Sequence, residues 1–155
     1  MIFQKIKSLL HTHLIEQINE CEDGNHLTIG DSGVWIATAQ YELTIGYGLS
    51  HTHYDPRYDN LNRALDEFVN LLTRKRRKTV FLKGNFPYKE KTEIELDDGS
   101  FKEMGTALTL FFPFWKKTSR HVTIENALIE YSEIEAEIED LRDMTTRVTQ
   151  RATYR

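Results

Sequence analysis

The string His51-Thr52-His53-Tyr54-Asp55-Pro56 is the densest local set of side chains able to do chemistry. Two imidazoles at i and i+2 share one face of a strand. Such a pair can hold one metal ion, with Asp55 or Asp59 as a hard third ligand. The same pair can serve as an acid and a base near neutral pH. A bound ion activating water, with Asp59 or His26 completing the site, would make a small metal-dependent or acid-base enzyme. A plainer reading is a strand end whose histidines bond backbone or Asp55 before an Asp-Pro turn. A third is contact with a partner through His51, His53, Tyr54 and Asp55. His11-Thr12-His13 repeats the spacing on a helical segment, where positions i and i+2 do not face each other. His-x-His alone therefore assigns no metal, and no cofactor is expected.

The basic run Arg74-Lys75-Arg76-Arg77-Lys78 could contact phosphate, with Phe81, Phe86 and Tyr88 near in sequence for base stacking. The alternative is a solvated helix end followed by an amphipathic strand. A sequence pI near 5.9 argues against nucleic acid as the partner. Phe111-Phe112-Pro113-Phe114-Trp115 reads as core and edge packing, and Pro113 marks a strand end or a bulge. Rings on an uncovered face would form a partner surface. Cys21 has no His or Lys at nucleophile spacing and reads as a lone buried thiol. Gly46-x-Gly48 lacks the third glycine of a dinucleotide loop. Neither Gly-x-Ser-x-Gly nor a phosphate-cradle lysine motif is present.

These residues must be positioned by a small set of elements. Ile2, Phe3, Ile6, Leu9, Leu10, His13, Leu14 and Ile18 recur at helical spacing. Strands follow at 26–29, 34–38 and 41–49, separated by the turn chemistry of Asp31-Ser32-Gly33. If the strand at 41–49 continues, His51 and His53 share a face with Tyr47 and Leu49. A middle helix at 60–77 carries Leu61, Ala64, Leu65, Phe68, Leu71 and Leu72, with Asp59 or Asn60 as its cap and Arg74 to Arg77 in its last turn. Val80–Leu82 reads as a strand. Asp97-Asp98-Gly99-Ser100 joins 93–96 to 101–104 as a hairpin. A dense apolar strand over 108–114 and a short one at 121–124 complete the set.

The C-terminal segment is read as one long helix over about 124–148. Ala127, Tyr131, Ile134, Ile138, Leu141, Thr145 and Val148 form a heptad seam. Eight acidic residues stand against one basic residue over 125–143. The seam needs a cover: the protein's own sheet, a second copy making a homodimer through this helix, or another protein. Acidic helices can imitate the phosphate spacing of nucleic acid and block a basic enzyme surface. The plainer reading packs the helix on its own sheet and pairs it with the basic block at 74–91.

The chain has 155 residues and a formal charge of −4, distributed unevenly. Residues 1–73 hold 4 Lys/Arg and 10 Asp/Glu, residues 74–120 hold 12 and 6, and residues 121–155 hold 4 and 8. The fold class expected is α+β: a mainly antiparallel sheet flanked by an N-terminal helix, a middle helix and a long C-terminal helix. The strand links are hairpin-length, which requires antiparallel pairing. Residues 1–148 are expected as a single domain, with 149–155 a frayed tail. One cysteine excludes an internal disulfide framework and a multi-thiolate metal site. No apolar run approaches the roughly 18–20 residues of a membrane-spanning helix, and no membrane partner is expected. The N-terminus carries no secretory pattern, which points to the cytoplasm.

Leu43-Thr44-Ile45-Gly46-Tyr47-Gly48-Leu49-Ser50-His51-Thr52-His53-Tyr54-Asp55, followed by the helix at 60–73, resembles small bacterial immunity proteins of polymorphic-toxin and contact-dependent growth inhibition systems. The likeness covers about residues 26–82. It implies a cytoplasmic inhibitor that binds one toxin domain tightly and catalyses nothing, and leaves open which residues bind. An acidic helix suits a basic nuclease toxin, and Glu135, Glu139 and Asp143 are the residues expected to steer its capture.

Overall fold

The computed structural model describes residues 2–57 and 61–153. Helix α1 (Ile2–His13) buries Phe3, Ile6, Leu9 and Leu10 on one face, as three- and four-residue spacing requires. The helix stops there. Ile15–Gln17 forms a single 3-10 turn, and Ile18 opens β1 (Ile18–Glu20), a strand that the helical reading of Ile18 did not anticipate. β2 (His26–Ile29), β3 (Val34–Ala39), β4 (Glu42–Tyr47) and β5 (Ser50–Tyr54) follow. The five strands form one antiparallel meander in chain order.

Helix α2 (Leu61–Thr73) is buried on several sides, through Leu61, Ala64, Leu65, Phe68, Val69, Leu71 and Leu72. It ends four residues before the expected boundary. Arg76 opens a strand instead, and the proposed caps Asp59 and Asn60 lie outside the described residues. A second antiparallel sheet then forms from β6 (Arg76–Lys83), β7 (Phe86–Glu95), β8 (Phe101–Leu108) and β9 (Thr118–Glu125), in the order β8-β7-β6-β9. The molecule is therefore α+β with antiparallel sheets, but it has two sheets where the sequence reading gathered the strands into one.

Two boundaries are corrected in this half. The apolar stretch 108–114 is not a strand, because β8 ends at Leu108 and residues 109–117 form a loop. Residues 118–125 are a full strand, so the C-terminal helix does not begin near 124. Helix α3 spans Tyr131–Thr153, and the last two residues of the tail expected at 149–155 lie outside the described residues. The short strand expected at 121–124 is present and longer, as β-branched Val122, Thr123 and Ile124 favour.

Three helices cover one face of the first sheet. Leu27, Ile29, Val34, Ile36, Leu43, Ile45, Tyr47 and Tyr54 from the strands pack with the apolar faces of α1, α2 and α3 in one cluster. The α3 seam is covered from within: Ile134, Ile138, Leu141 and Thr145 are buried, and α3 packs on α2 and α1. Among the described residues the helix makes no ion pair with the basic block. Lys5 reaches Asp140 at 3.2 Å, His13 reaches Glu137 at 3.0 Å and Arg142 reaches Asp66 at 2.8 Å. Among the described residues no helix is long and apolar enough to cross a membrane.

The second sheet gives the core only Ile94, with Met104 packed against it. Its junction is pinned by Arg76. This side chain is 1% exposed. Its guanidinium donates to the carbonyl of Leu71 at the end of α2 and, at 3.1 Å, to the carbonyl of Asn126 after β9. It also pairs with Glu125 at 3.5 Å and lies over the Tyr47 ring of the first sheet. One residue thus ties together a helix end, a strand end and both sheets.

Candidate functional site

The histidine string sits on a hairpin rather than on a continued strand. Gly48, at φ 60°, turns the chain back after β4, and a left-handed position of this kind suits glycine. Directly opposed residues in an antiparallel pair share a face. His51 stands opposite Gly46 and His53 opposite Thr44. The two imidazoles therefore lie on the outer face of the first sheet, away from Tyr47, which points into the core. The turn reverses the facing that a single long strand would impose.

On that outer face the rings form a row. His26 meets Trp35 edge-on at 5.5 Å, Trp35 meets His51 at 5.6 Å, and His51 meets His53 edge-on at 4.9 Å. Gly46 makes the row fit, since a Cβ there would stand 2.1 Å from the Trp35 indole. The indole nitrogen donates to the carbonyl of Gly48 at 3.1 Å. His53 Nδ1 lies 3.0 Å from Thr44 Oγ1 and 3.3 Å from Glu42 Oε1. Cys21 is exposed, not buried, and its Sγ lies 3.5 Å from His26 Nδ1.

The other members of the string are placed elsewhere. Tyr54 points to the opposite face, is buried, and donates to Glu67, which also accepts from Thr52 at 3.2 Å. Burial, the adjacent Glu67 carboxylate and its hydrogen bond all push the Tyr54 hydroxyl pKa far up. Asp55 accepts from Arg57 Nη2 at 2.6 Å and from the Arg57 backbone at 2.9 Å, which holds its carboxyl below the usual range. So His51 and His53 are brought together, while Tyr54 and Asp55 are not with them. Among the described residues no three of His, Cys, Asp and Glu gather as a metal site. Asp59, named as a further ligand, lies outside the described residues.

The acidic helix presents its charge differently. Glu135, Glu139 and Asp143 are all exposed and step by four residues, so they share a stripe turned away from the buried seam. Glu139 has Arg142 at 3.6 Å. Glu135 and Asp143 have no ion-pair partner among the described residues. Like charges at this spacing repel by about 0.2–0.5 kcal/mol per pair. The stripe is thus slightly unfavourable to the isolated helix and open to an oppositely charged surface.

The basic run is not the surface it resembled in sequence. Arg76 is buried, and Arg77 donates to both Glu93 oxygens, at 2.7 and 2.9 Å, over the Phe101 ring. Lys91 donates to the same carboxylate at 2.8 Å. Hydrogen bonds from Arg77 foremost, then from Lys91, depress the Glu93 pKa to about 2 against the resistance of burial. Five cations without an ion pair among the described residues lie further along: half-buried Lys83 and Lys89 and exposed Arg120 on the sheet, and exposed Lys116 and Lys117 in the loop before β9, with Lys89 5.1 Å from the centroid of the Phe81 ring. Sequence proximity to Arg74–Lys78 concealed that group, which assembles only when β6, β7 and β9 pair.

Comparison with protein-family models, with curated proteins and with solved structures returns no match for this chain.

Proposed function

We propose that this protein is an immunity-type inhibitor: a cytoplasmic protein that binds one toxin domain and neutralises it without catalysis. The observation that carries the reading is the carboxylate stripe Glu135–Glu139–Asp143. It sits on a helix whose other face is anchored by Ile134, Ile138, Leu141 and Thr145. A rigid, pre-ordered acidic surface binds with little ordering cost and steers a basic partner by long-range attraction. A basic nuclease domain, whose own ligand is a phosphate backbone, is the partner chemistry that fits.

The outer-face ring row supports a structural role for His51 and His53. The rings pack on each other and on Trp35 and leave Asp55 engaged with Arg57. The test is the Glu135→Lys, Glu139→Lys, Asp143→Lys triple variant against the toxin partner. Association should slow at least tenfold at low salt and lose most of its salt dependence. Wild-type kinetics in the triple variant would remove α3 from the interface and overturn the reading.

A further inference from the structure

The loop 109–117, between β8 and β9, carries the two most exposed large apolar side chains among the described residues, Phe111 and Leu110, with Phe114 and Trp115 beside them. Leu110 is 85% exposed, Phe111 89%, Phe114 73% and Trp115 72%. Water-exposed clusters of this kind are rare on a protein without a contact to make there. The loop is held from below. Phe112 stacks on Tyr88 at 4.6 Å, the Thr109 amide donates to the Tyr88 carbonyl at 2.8 Å, and the Gly84 amide donates to the Lys117 carbonyl at 2.9 Å. Phe114 and Trp115 meet edge-on at 5.2 Å. The apolar apex is thus presented on an ordered base.

Around that base stand Lys83, Lys89, Lys116, Lys117 and Arg120. None of the five has an ion pair among the described residues. Glu90 is the single carboxylate in the adjoining stretches 80–90 and 106–121. It accepts from the Leu49 amide at 2.8 Å, at the junction with the first sheet.

We propose that this loop is a docking surface for an anionic lipid bilayer, with Leu110, Phe111, Phe114 and Trp115 entering the headgroup layer and the surrounding cations meeting lipid phosphates. Charge complementarity selects the occupant: a neutral surface would leave five cations without counterions. Shape selects against single-stranded nucleic acid, which needs a groove whose rings are backed by sheet. Here the apex residues are between 72% and 89% exposed, and Leu110 cannot stack on a base. Trp and Phe favour the membrane–water boundary, and basic side chains beside it add attraction to anionic headgroups. The sequence expectation of no membrane partner followed from the lack of a spanning segment, and a peripheral contact needs none. The surface is separate from the α3 stripe, so its test and that of toxin binding fail independently.

The test is co-sedimentation of the full chain with phosphatidylcholine vesicles and with vesicles containing phosphatidylglycerol, at low and moderate salt. Binding to the anionic vesicles alone is expected, with a blue shift of Trp115 emission measured against Trp115→Phe. Lys116→Glu with Lys117→Glu should weaken binding about tenfold or more. Phe111→Ser with Trp115→Ser should weaken it thirtyfold or more. Both double variants should keep the parent thermal midpoint. No sedimentation with anionic vesicles at low salt overturns the proposal. So does equal binding by the Phe111/Trp115 variant, or retention of an oligonucleotide with no vesicle binding.

Discussion

The two ends of the second sheet obey opposite rules. At the near end Arg76, Thr79, Thr92, Glu93 and Ile94 are buried, and both buried charges, Arg76 and Glu93, have partners of opposite sign. At the far end, about 23 Å along β6, Lys83, Lys116 and Lys117 stand unpaired beside rings in water. One strand, β6, carries both Arg76 and Lys83, so strand propensity does not explain the difference. Burial does: the near end abuts α2 and the first sheet, where an unpaired charge would be costly. The far end has no helix against it, and its side chains answer to whatever docks there. The multiply bonded places on this sheet belong to Arg76 and Arg77, as the guanidinium's several fixed donors favour, whereas exposed Arg120 stands with the lysines of the far end.

The sharpest way to break this contrast is Arg76→Ala. It removes the donor from two carbonyls and leaves Glu125 without its cation, so unfolding in urea should show a loss of about 3–4 kcal/mol. A loss below about 1 kcal/mol would mean that the near end is not pinned as described. Glu93→Gln should cost about 2 kcal/mol, less because Arg77 and Lys91 are partly exposed and can rehydrate.

The same carboxylate sets an acid limit. Its folded pKa, about 2, lies below its ordinary value of 4.5. Its contribution is therefore complete above about pH 5 and disappears as the pH falls towards 2. In Glu93→Gln that part of the acid slope should flatten; an unchanged slope would assign it to other carboxylates.

Gly46→Ala sharpens the account of the first sheet. The new methyl group must displace the Trp35 indole, at about 1–2 kcal/mol. Near-ultraviolet circular dichroism should change with it, and an unaltered spectrum would mean the ring row is loose. The smallest effect belongs to the far end. Trp115→Ser should stay within about 0.5 kcal/mol of the parent, because a ring already in water has no burial to lose.

Much of this fold is legible in the sequence, and the misses share a cause. Alternation at 42–47, the Asp-Gly hairpin at 97–100 and the apolar face of 61–72 each report a local period, and each element is present. Residues 76–83 and 118–125 were harder. A basic run resembles a helix terminus, and only pairing between distant strands reveals Arg76 as buried. The loop 109–117 misled because a dense apolar run is the usual mark of an interior strand, whereas these side chains face solvent. The histidine pair was visible, but its facing depended on one positive-φ glycine. The stripe Glu135–Glu139–Asp143 was the most accessible, since four-residue spacing on a helix is itself the geometry.

Native mass spectrometry of the protein recovered mildly from its own cells, alongside the Glu135/Glu139/Asp143 triple lysine variant, tests the binding account most directly. The account expects the parent chain in a 1:1 complex with a basic polypeptide. That polypeptide should arrest growth when expressed alone and be tolerated when the parent chain is co-expressed. The triple variant should be recovered with clearly less of it, as slower association requires. A parent chain recovered bare, or a triple variant carrying the same partner in full, would contradict the account.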